Sequence, residues 1–307
     1  RRINYVGCTG LCPVFFIEKP LHSNEFVPTA QDVMSDLSLI QYGLIALIFI
    51  WSGFVRSGLG FGGAVLSLPF LLLVKDAPLV FLPIIAVHLL VFSSLTIWMN
   101  NRRNQSYKGD KSGQTLTGFG PDAVVTARES TVDWPYLWRM LRIMLVPKLI
   151  GVFGLFTLPA NVLSSIIFVI VAIYSVSYIL NRPFRSNSKA VDVGLLMAGG
   201  YISGTSLIGA PLIIAVAAQH LPREKLRDTL FGLWFILVLI KLAAFIWVGL
   251  DLQLIHHLWL LPCAAIGHVI GLRFHDRILK AETPVFFRLL GIVLFIVSSV
   301  GIVSVLL

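Results

Sequence analysis

The sequence predicts an all-α, polytopic integral membrane protein of two inverted repeats, each a glycine-broken helix pair followed by three transmembrane helices. Three observations carry this. Of 307 residues, 57% are hydrophobic and only 13% charged, and mean hydropathy is +0.87; a soluble domain would be about a quarter charged. The apolar residues fall into stretches long enough to cross a bilayer core. Two of those stretches are broken by glycine and proline at corresponding places in the two halves. The first break is Phe54-Val-Arg-Ser-Gly-Leu-Gly-Phe-Gly-Gly-Ala-Val-Leu-Ser-Leu-Pro69, and the second is Tyr201-Ile-Ser-Gly-Thr-Ser-Leu-Ile-Gly-Ala-Pro-Leu212. Paired breaks of this kind mark the binding site of repeat-built secondary transporters.

Residues 1–36 form a mixed, polar N-terminal tail without a continuous apolar run, so they do not read as a signal peptide. The first repeat occupies 37–181. Its apolar segments run from about 37 to 55 and from 61 to 74, with the break between them. Lys75-Asp-Ala-Pro78 is a tight connection to a span over 79–99 that carries His88 near its middle. A polar insertion over 100–133, rich in Gly, Ser, Thr, Lys and Arg, reads as a loop. Spans at 136–158 and 162–180 complete the half, joined at Pro159-Ala-Asn161. A linker, 182–190, leads to the second repeat, 191–307. There, short segments at 191–204 and 209–219 flank the second break. A charged loop, Pro222-Arg-Glu-Lys-Leu-Arg-Asp228, then precedes spans at 229–249, 254–272 and 285–306.

Charge sets the topology. Lys and Arg exceed Asp and Glu by nine, and they concentrate in the connections at 100–133, 181–190, 220–228 and 273–284. The connections at 75–78, 158–161 and 250–253 hold one at most. The positive-inside rule places the first group in the cytoplasm and the second outside. That assignment requires the two segments around each break to enter and return on one side. Each half then turns over an odd number of times, which makes the repeats inverted. The basic excess therefore reflects cytoplasmic loops facing the lipid bilayer, and no nucleic-acid partner is expected.

A helix that starts inside the membrane leaves its first N–H groups unpaired, with the positive end of the macrodipole beside them. Helices starting near Gly63 and near Ala210-Pro211 would bring two such ends together from opposite sides, an arrangement suited to an anion. The expected binding residues are Gly60, Gly62, Gly63 and Ala64 at the first break and Ser206, Gly209, Ala210 and Pro211 at the second. The plainer reading is that these glycines only let helices pack closely. His88 and Lys241 complete the candidate set, because an ionisable side chain within a span normally faces a cavity or a partner. Arg56 and Lys148 lie near segment ends, from which long side chains can reach the interface, and His268 has no visible partner. No metal or cofactor is expected. Cys8 and Cys12 lack a matching Cys/His pair, and the sequence contains neither His-Glu-x-x-His nor a nucleotide-binding glycine loop. No catalytic residues are expected, and the chain does not read as an enzyme.

Ser57-Gly-Leu-Gly-Phe-Gly-Gly63 resembles the first-repeat signature of the sulfite exporter TauE/SafE family, and Ser203-Gly-Thr-Ser-Leu-Ile-Gly-Ala-Pro211 the second. Val132-Asp-Trp134, Arg227-Asp-Thr229 and Lys241-Leu242 resemble further landmarks in the same order; Leu207 and Ala210 stand where that family usually has glycine. The resemblance implies a transporter of small sulfur-containing anions (sulfite, thiosulfate or organosulfonate) in a bacterial inner membrane. No Asp or Glu falls inside a span, which favours export driven by the membrane potential without a coupled cation. The alternatives are an anion channel, or a proton-coupled uptake permease using His88.

Overall fold

In a computed structural model, the described residues are 34, 36–59, 63–111, 132–182, 184, 188–280 and 284–307. Most of the N-terminal tail and the centre of the 100–133 insertion lie outside them. So do Gly60 and Gly62. The described residues form ten main helices and no strand: α1 (Leu39–Leu59), α2 (Gly63–Val74), α3 (Pro78–Lys111), α4 (Trp134–Thr157), α5 (Ala160–Ile179), α6 (Lys189–Ser206), α7 (Ala210–His220), α8 (Arg223–Val248), α9 (His257–Lys280) and α10 (Pro284–Leu306). A single 3₁₀ turn, Leu254–His256, precedes α9. Seven of the ten are long and apolar enough to cross a membrane, namely α1, α3, α4, α5, α8, α9 (with the 3₁₀ turn) and α10.

Four boundaries depart most from the sequence reading, the first being α9, which continues to Lys280 through part of the basic connection at 273–284. Helix α1 continues four residues past the expected end, through Arg56 and Ser57. Helix α3 continues to Lys111 into the stretch that reads as loop, and α8 begins at Arg223 inside the charged segment. Polarity marks residues that leave the bilayer, not residues that leave a helix. Arg, Lys, Glu and Leu are good helix formers, and Pro222 serves α8 as N-cap. The other helix starts follow familiar chemistry. Asp133 accepts a bond from the Tyr136 amide at 3.0 Å, with Pro135 in the first turn of α4, and Ser188 caps α6 through the Val191 amide.

Both breaks fold into hairpins whose feet lie together. Ser52 at mid-α1 donates to the Gly63 carbonyl at 3.2 Å, and Gln41 near the start of α1 donates to the Val74 carbonyl at the end of α2, at 3.0 Å. Eleven residues separate the two contacts on each arm of this hairpin, about 16 Å of helix. In the second hairpin, His220 at the end of α7 pairs with Asp192 in the first turn of α6 at 3.4 Å.

The main helix pairings survive an exchange of the halves in which α1 trades with α6, α2 with α7, and so on to α5 with α10. Helix α1 packs on α9 as α6 packs on α4; α3 meets α8, and α5 meets α10. The first two contacts are glycine seams. A Cβ on Gly53 would strike the Ala264 carbonyl, one on Gly267 the Ile50 carbonyl, and one on Gly271 the Phe54 carbonyl. On the other side, Gly151 faces the Tyr201 carbonyl, Gly200 that of Met144, and Gly204 that of Lys148. Small residues permit this approach, and in lipid close packing replaces the hydrophobic drive that holds soluble helices together. The large apolar residues Phe153, Ile246, Trp247 and Val300 point outward, as a lipid-facing surface requires.

Gly267→Ala should lower the unfolding midpoint in detergent, by the equivalent of about 1–3 kcal/mol for overpacking against a backbone atom. Gly154 faces open space, with nothing within 4 Å of where a methyl would stand. Gly154→Ala should therefore leave the midpoint unchanged or raise it by about 0.5–1 kcal/mol. Equal effects of the two substitutions would remove the seam from the account.

Candidate functional site

The tips of the two hairpins meet around a small cavity. It is lined by Gly63, Ala64 and Val65 from the first turn of α2, Ala210 from the first turn of α7, and Ser203 and Leu207 from the end of α6. Arg56 comes from α1, Leu89 from α3, and Trp234, Leu237 and Val238 from α8. Two helix N-termini thus open onto one space. No side chain caps α7: its N-cap is Gly209, and Pro211 in its first turn has no N–H to satisfy. Leu207, which joins the α6–α7 hairpin, holds a left-handed backbone at φ 61°. That conformation favours glycine and costs a leucine about 1–2 kcal/mol. The Leu207 amide bonds the Ser203 carbonyl, and the side chain is buried in the cavity wall. The cavity gives about 40 Å³ to the centre of a water-sized body. Since about 10–15 Å³ suffices for one water, it suits an ion of a few heavy atoms and not a large organic molecule.

Arg56 is the charged side chain in the wall. It is 4% exposed, donates from Nη1 to the His88 carbonyl at 3.3 Å, and stacks over Phe92 with 4.3 Å to the ring centroid. Its Nη2 is buried with no partner among the described residues. A guanidinium stays protonated and presents its donors in a planar fork. Phe92 and the His88 carbonyl fix that plane beside the two helix starts, and an oxyanion can accept from Nη2.

Two lysines stand just behind the wall. Lys148 on α4 is fully buried and donates to the carbonyl and the hydroxyl of Ser203, both at 3.2 Å. Lys241 on α8 is also fully buried; it donates to the Thr205 carbonyl at 3.1 Å and lies 5.7 Å from the Phe245 ring centroid. Ser203 and Thr205 belong to the last turn of α6, where the negative end of the dipole lies, and the Ser203 carbonyl takes the lysine in addition to the Leu207 amide. Both lysines therefore cap α6. Among the described residues no carboxylate pairs with Arg56, Lys148 or Lys241.

Of the residues singled out in the sequence, Gly63, Ala64 and Ala210 line the cavity. Gly209 and Pro211 sit at the start of α7, behind Ala210. Ser206 bonds the Ile202 carbonyl of its own helix at 3.0 Å. His88 and Lys241 are buried next to the lining residues but are not among them. Arg56 reads as an end-of-segment residue only if α1 stops at 55; the extra turn carries it to the buried tip. Lys148 does not reach an interface, and His268 does have a partner, the Ser57 hydroxyl at the α1 tip. That contact joins residues 211 apart, and nothing in the local pattern announces it. Among the described residues no group of three or more His, Cys, Asp or Glu is placed to hold a metal ion.

Residues 115–301, more than half of the chain, match the family model described as Sulfite exporter TauE/SafE. The matched range contains the second break, Arg227-Asp-Thr229 and Lys241-Leu242; the 57–63 stretch lies ahead of it. No curated protein and no solved structure matches the chain.

Arg56→Gln should weaken anion binding by about 1.5–3 kcal/mol, roughly ten- to a hundredfold in Kd, the range for a charge-assisted hydrogen bond. Lys241→Ala should lower the unfolding midpoint by releasing the end of α6, with a smaller change in Kd. Titration of sulfite and thiosulfate against each variant checks this. An Arg56→Gln protein that binds as the wild type does would take the guanidinium out of the site.

Proposed function

The chain belongs to the sulfite exporter TauE/SafE family, and on that footing we propose that it is a secondary transporter exporting small sulfur-containing anions across a bacterial inner membrane. The family implies a sulfur-anion transporter and not an enzyme, and seven apolar helices fit a membrane protein. The observation that carries the proposal is the cavity between the starts of α2 and α7 with the Arg56 guanidinium in its wall. Sulfite, thiosulfate and an organosulfonate share a sulfur head with acceptor oxygens and at least one negative charge. Such a head matches the starts of α2 and α7, one planar donor fork and the Ser203 hydroxyl.

Each hairpin enters and returns on one side, since Gln41 reaches Val74 and His220 reaches Asp192. Three further crossings follow in each half, an odd number, so the second half runs inverted to the first. Inversion lets the two hairpin tips meet at mid-membrane from opposite faces, and a rocking of one half against the other would open the cavity to each side in turn. An inside-negative potential contributes about 2.3 kcal/mol per charge per 100 mV, which favours outward movement of an anion.

The test is flux from proteoliposomes loaded with sulfite, thiosulfate or methanesulfonate. Uptake and release should saturate with concentration, and Gly63→Val, which fills the start of α2, should abolish both while leaving folded protein in detergent. Current that rises linearly with concentration would identify a channel instead. Single cysteines test the inversion. Lys225→Cys should react only from the cytoplasmic side, and Ala77→Cys and Ala160→Cys only from the opposite side. Labelling of positions 77 and 225 from the same side would overturn it.

A further inference from the structure

Beside the anion cavity lies a buried pair of histidines that the sequence separates by most of the chain. His88 on α3 and His257 at the start of α9 have ring centroids 5.0 Å apart and are 3% and 5% exposed. Backbone carbonyls occupy one nitrogen of each ring: His88 Nδ1 lies 2.8 Å from the Ile84 carbonyl, and His257 Nε2 lies 3.2 Å from the Leu252 carbonyl. A carbonyl only accepts, so each of those nitrogens carries the hydrogen of a neutral ring. The other two nitrogens, His88 Nε2 and His257 Nδ1, are then bare acceptors, buried with no hydrogen-bond donor among the described residues, and the backbone of Leu260 also stands beside the His88 ring. A buried acceptor left without a donor is costly, and here two such acceptors belong to rings 5.0 Å apart and tilted by 40°. One added proton on either ring turns its bare nitrogen into a donor, for which the neighbouring backbone carbonyls and the other ring are acceptors.

We propose that the His88–His257 pair is a proton-binding site coupled to the anion cavity, so that one proton is bound and carried with each anion. Leu252 belongs to the connection between α8 and α9, which also holds the exposed Asp251 and the half-buried His256, so the pair lies next to a segment that reaches the surface. The coupling is electrostatic and runs through Arg56. That guanidinium donates to the carbonyl of His88 and covers Phe92, whose ring is 6.4 Å from the His88 ring. A second positive charge on the pair is opposed by Arg56 when the cavity holds no anion, and is supported when an anion lies against Arg56. Other elements add little to this balance. Helices α2 and α5 carry no charged residue. On α8, Lys241 is committed to the Thr205 carbonyl. The Asp251 carboxylate accepts from the amide and the side chain of Gln253. Helix α1 contributes Phe49, 4.8 Å from the His88 ring, and α9 contributes His268, which lies 5.1 Å from Phe92 and bonds Ser57.

The step is a protonation and nothing else. A proton from water joins a ring nitrogen lone pair, the pair becomes a cation, and the proton leaves to water when the anion leaves. No group is oxidised or reduced. A divalent anion moving with one proton still crosses with one negative charge, so the membrane potential continues to favour exit. This departs from the uncoupled export expected when no Asp or Glu falls inside a span, since histidine chains also serve as proton relays inside membranes; that expectation ends the loop at Asp228, which the structure places within a candidate span, 5% exposed on α8.

The inference rests on the anion-transporter reading, and one experiment separates the two. Thiosulfate and methanesulfonate keep a fixed charge near neutral pH, so neither carries a titrating proton of its own. Proteoliposomes holding a trapped pH-sensitive dye are given a gradient of each, with the potential clamped by potassium and valinomycin. Wild-type flux should move one proton per anion, and binding should tighten by up to about tenfold per pH unit on acidification, the limit for a single linked proton. His88→Gln and His257→Gln should keep flux down a concentration gradient at symmetric pH, which also shows that they fold. They should lose proton movement and the pH dependence of binding. Flux without proton movement in the wild type, or an unchanged pH response in both variants, overturns the coupling and leaves the transporter reading intact. Absence of flux for both anions overturns the two together.

Discussion

The structure depends on backbone-to-backbone contact between helices of opposite halves. Helix α1 can carry its tip to the centre only because Gly53, Gly267 and Gly271 let it lie directly on α9, and α6 does the same on α4 through Gly151, Gly200 and Gly204. Each hairpin is therefore held less by its own half than by the other. That arrangement suits a molecule whose halves must move against one another, because a displacement of α9 or α4 is transmitted to a hairpin tip without slack. It also explains where the glycines fall. Those in the middle of α4, α6 and α9 have ordinary helical backbone and serve contact alone, and Gly209 at the second break does the same against the Gly199 carbonyl, the turn there being made by Leu207.

The seams bring charge with them. Three basic side chains are buried within reach of the tips, and a single Lys or Arg at the middle of a spanning helix costs about 2.5–3.5 kcal/mol. Three of them cost about as much as the whole net stability of a typical domain. Lys148 and Lys241 recover their cost against carbonyls at the end of α6. Arg56 recovers only part of it, since Nη2 has no partner among the described residues. An anion at the proposed site would supply that partner beside the starts of α2 and α7.

The sequence reveals the helices and their breaks because both rest on local chemistry. Gly58 to Gly63 and Gly209-Ala-Pro211 interrupt apolar runs, and α2 and α7 begin where those signals put them. The capping of α4 by Asp133 is legible in the same way. The side-chain partners are not. Lys241 is recognisable as a buried cation, but Thr205 is 36 residues away on another hairpin. Arg56 escapes a reading by segment ends, because one extra turn of α1 decides whether it faces an interface or a cavity. His88 looks solitary in the sequence for the reason His268 does. Its partner comes from α9, and only the α1–α9 seam and the fold of α3 beside it bring His257 within reach.

The central claim is that an anion sits between the two helix starts and against Arg56. Selenite, a heavier analogue of sulfite, locates it directly by anomalous scattering from crystals grown with the ion. The account predicts one strong peak between Gly63 and Ala210, within hydrogen-bonding distance of Arg56 Nη2. A saturated crystal with no peak there, or with its strongest peak at the outward-facing Arg139 and Lys189 beside the foot of the second hairpin, would contradict it.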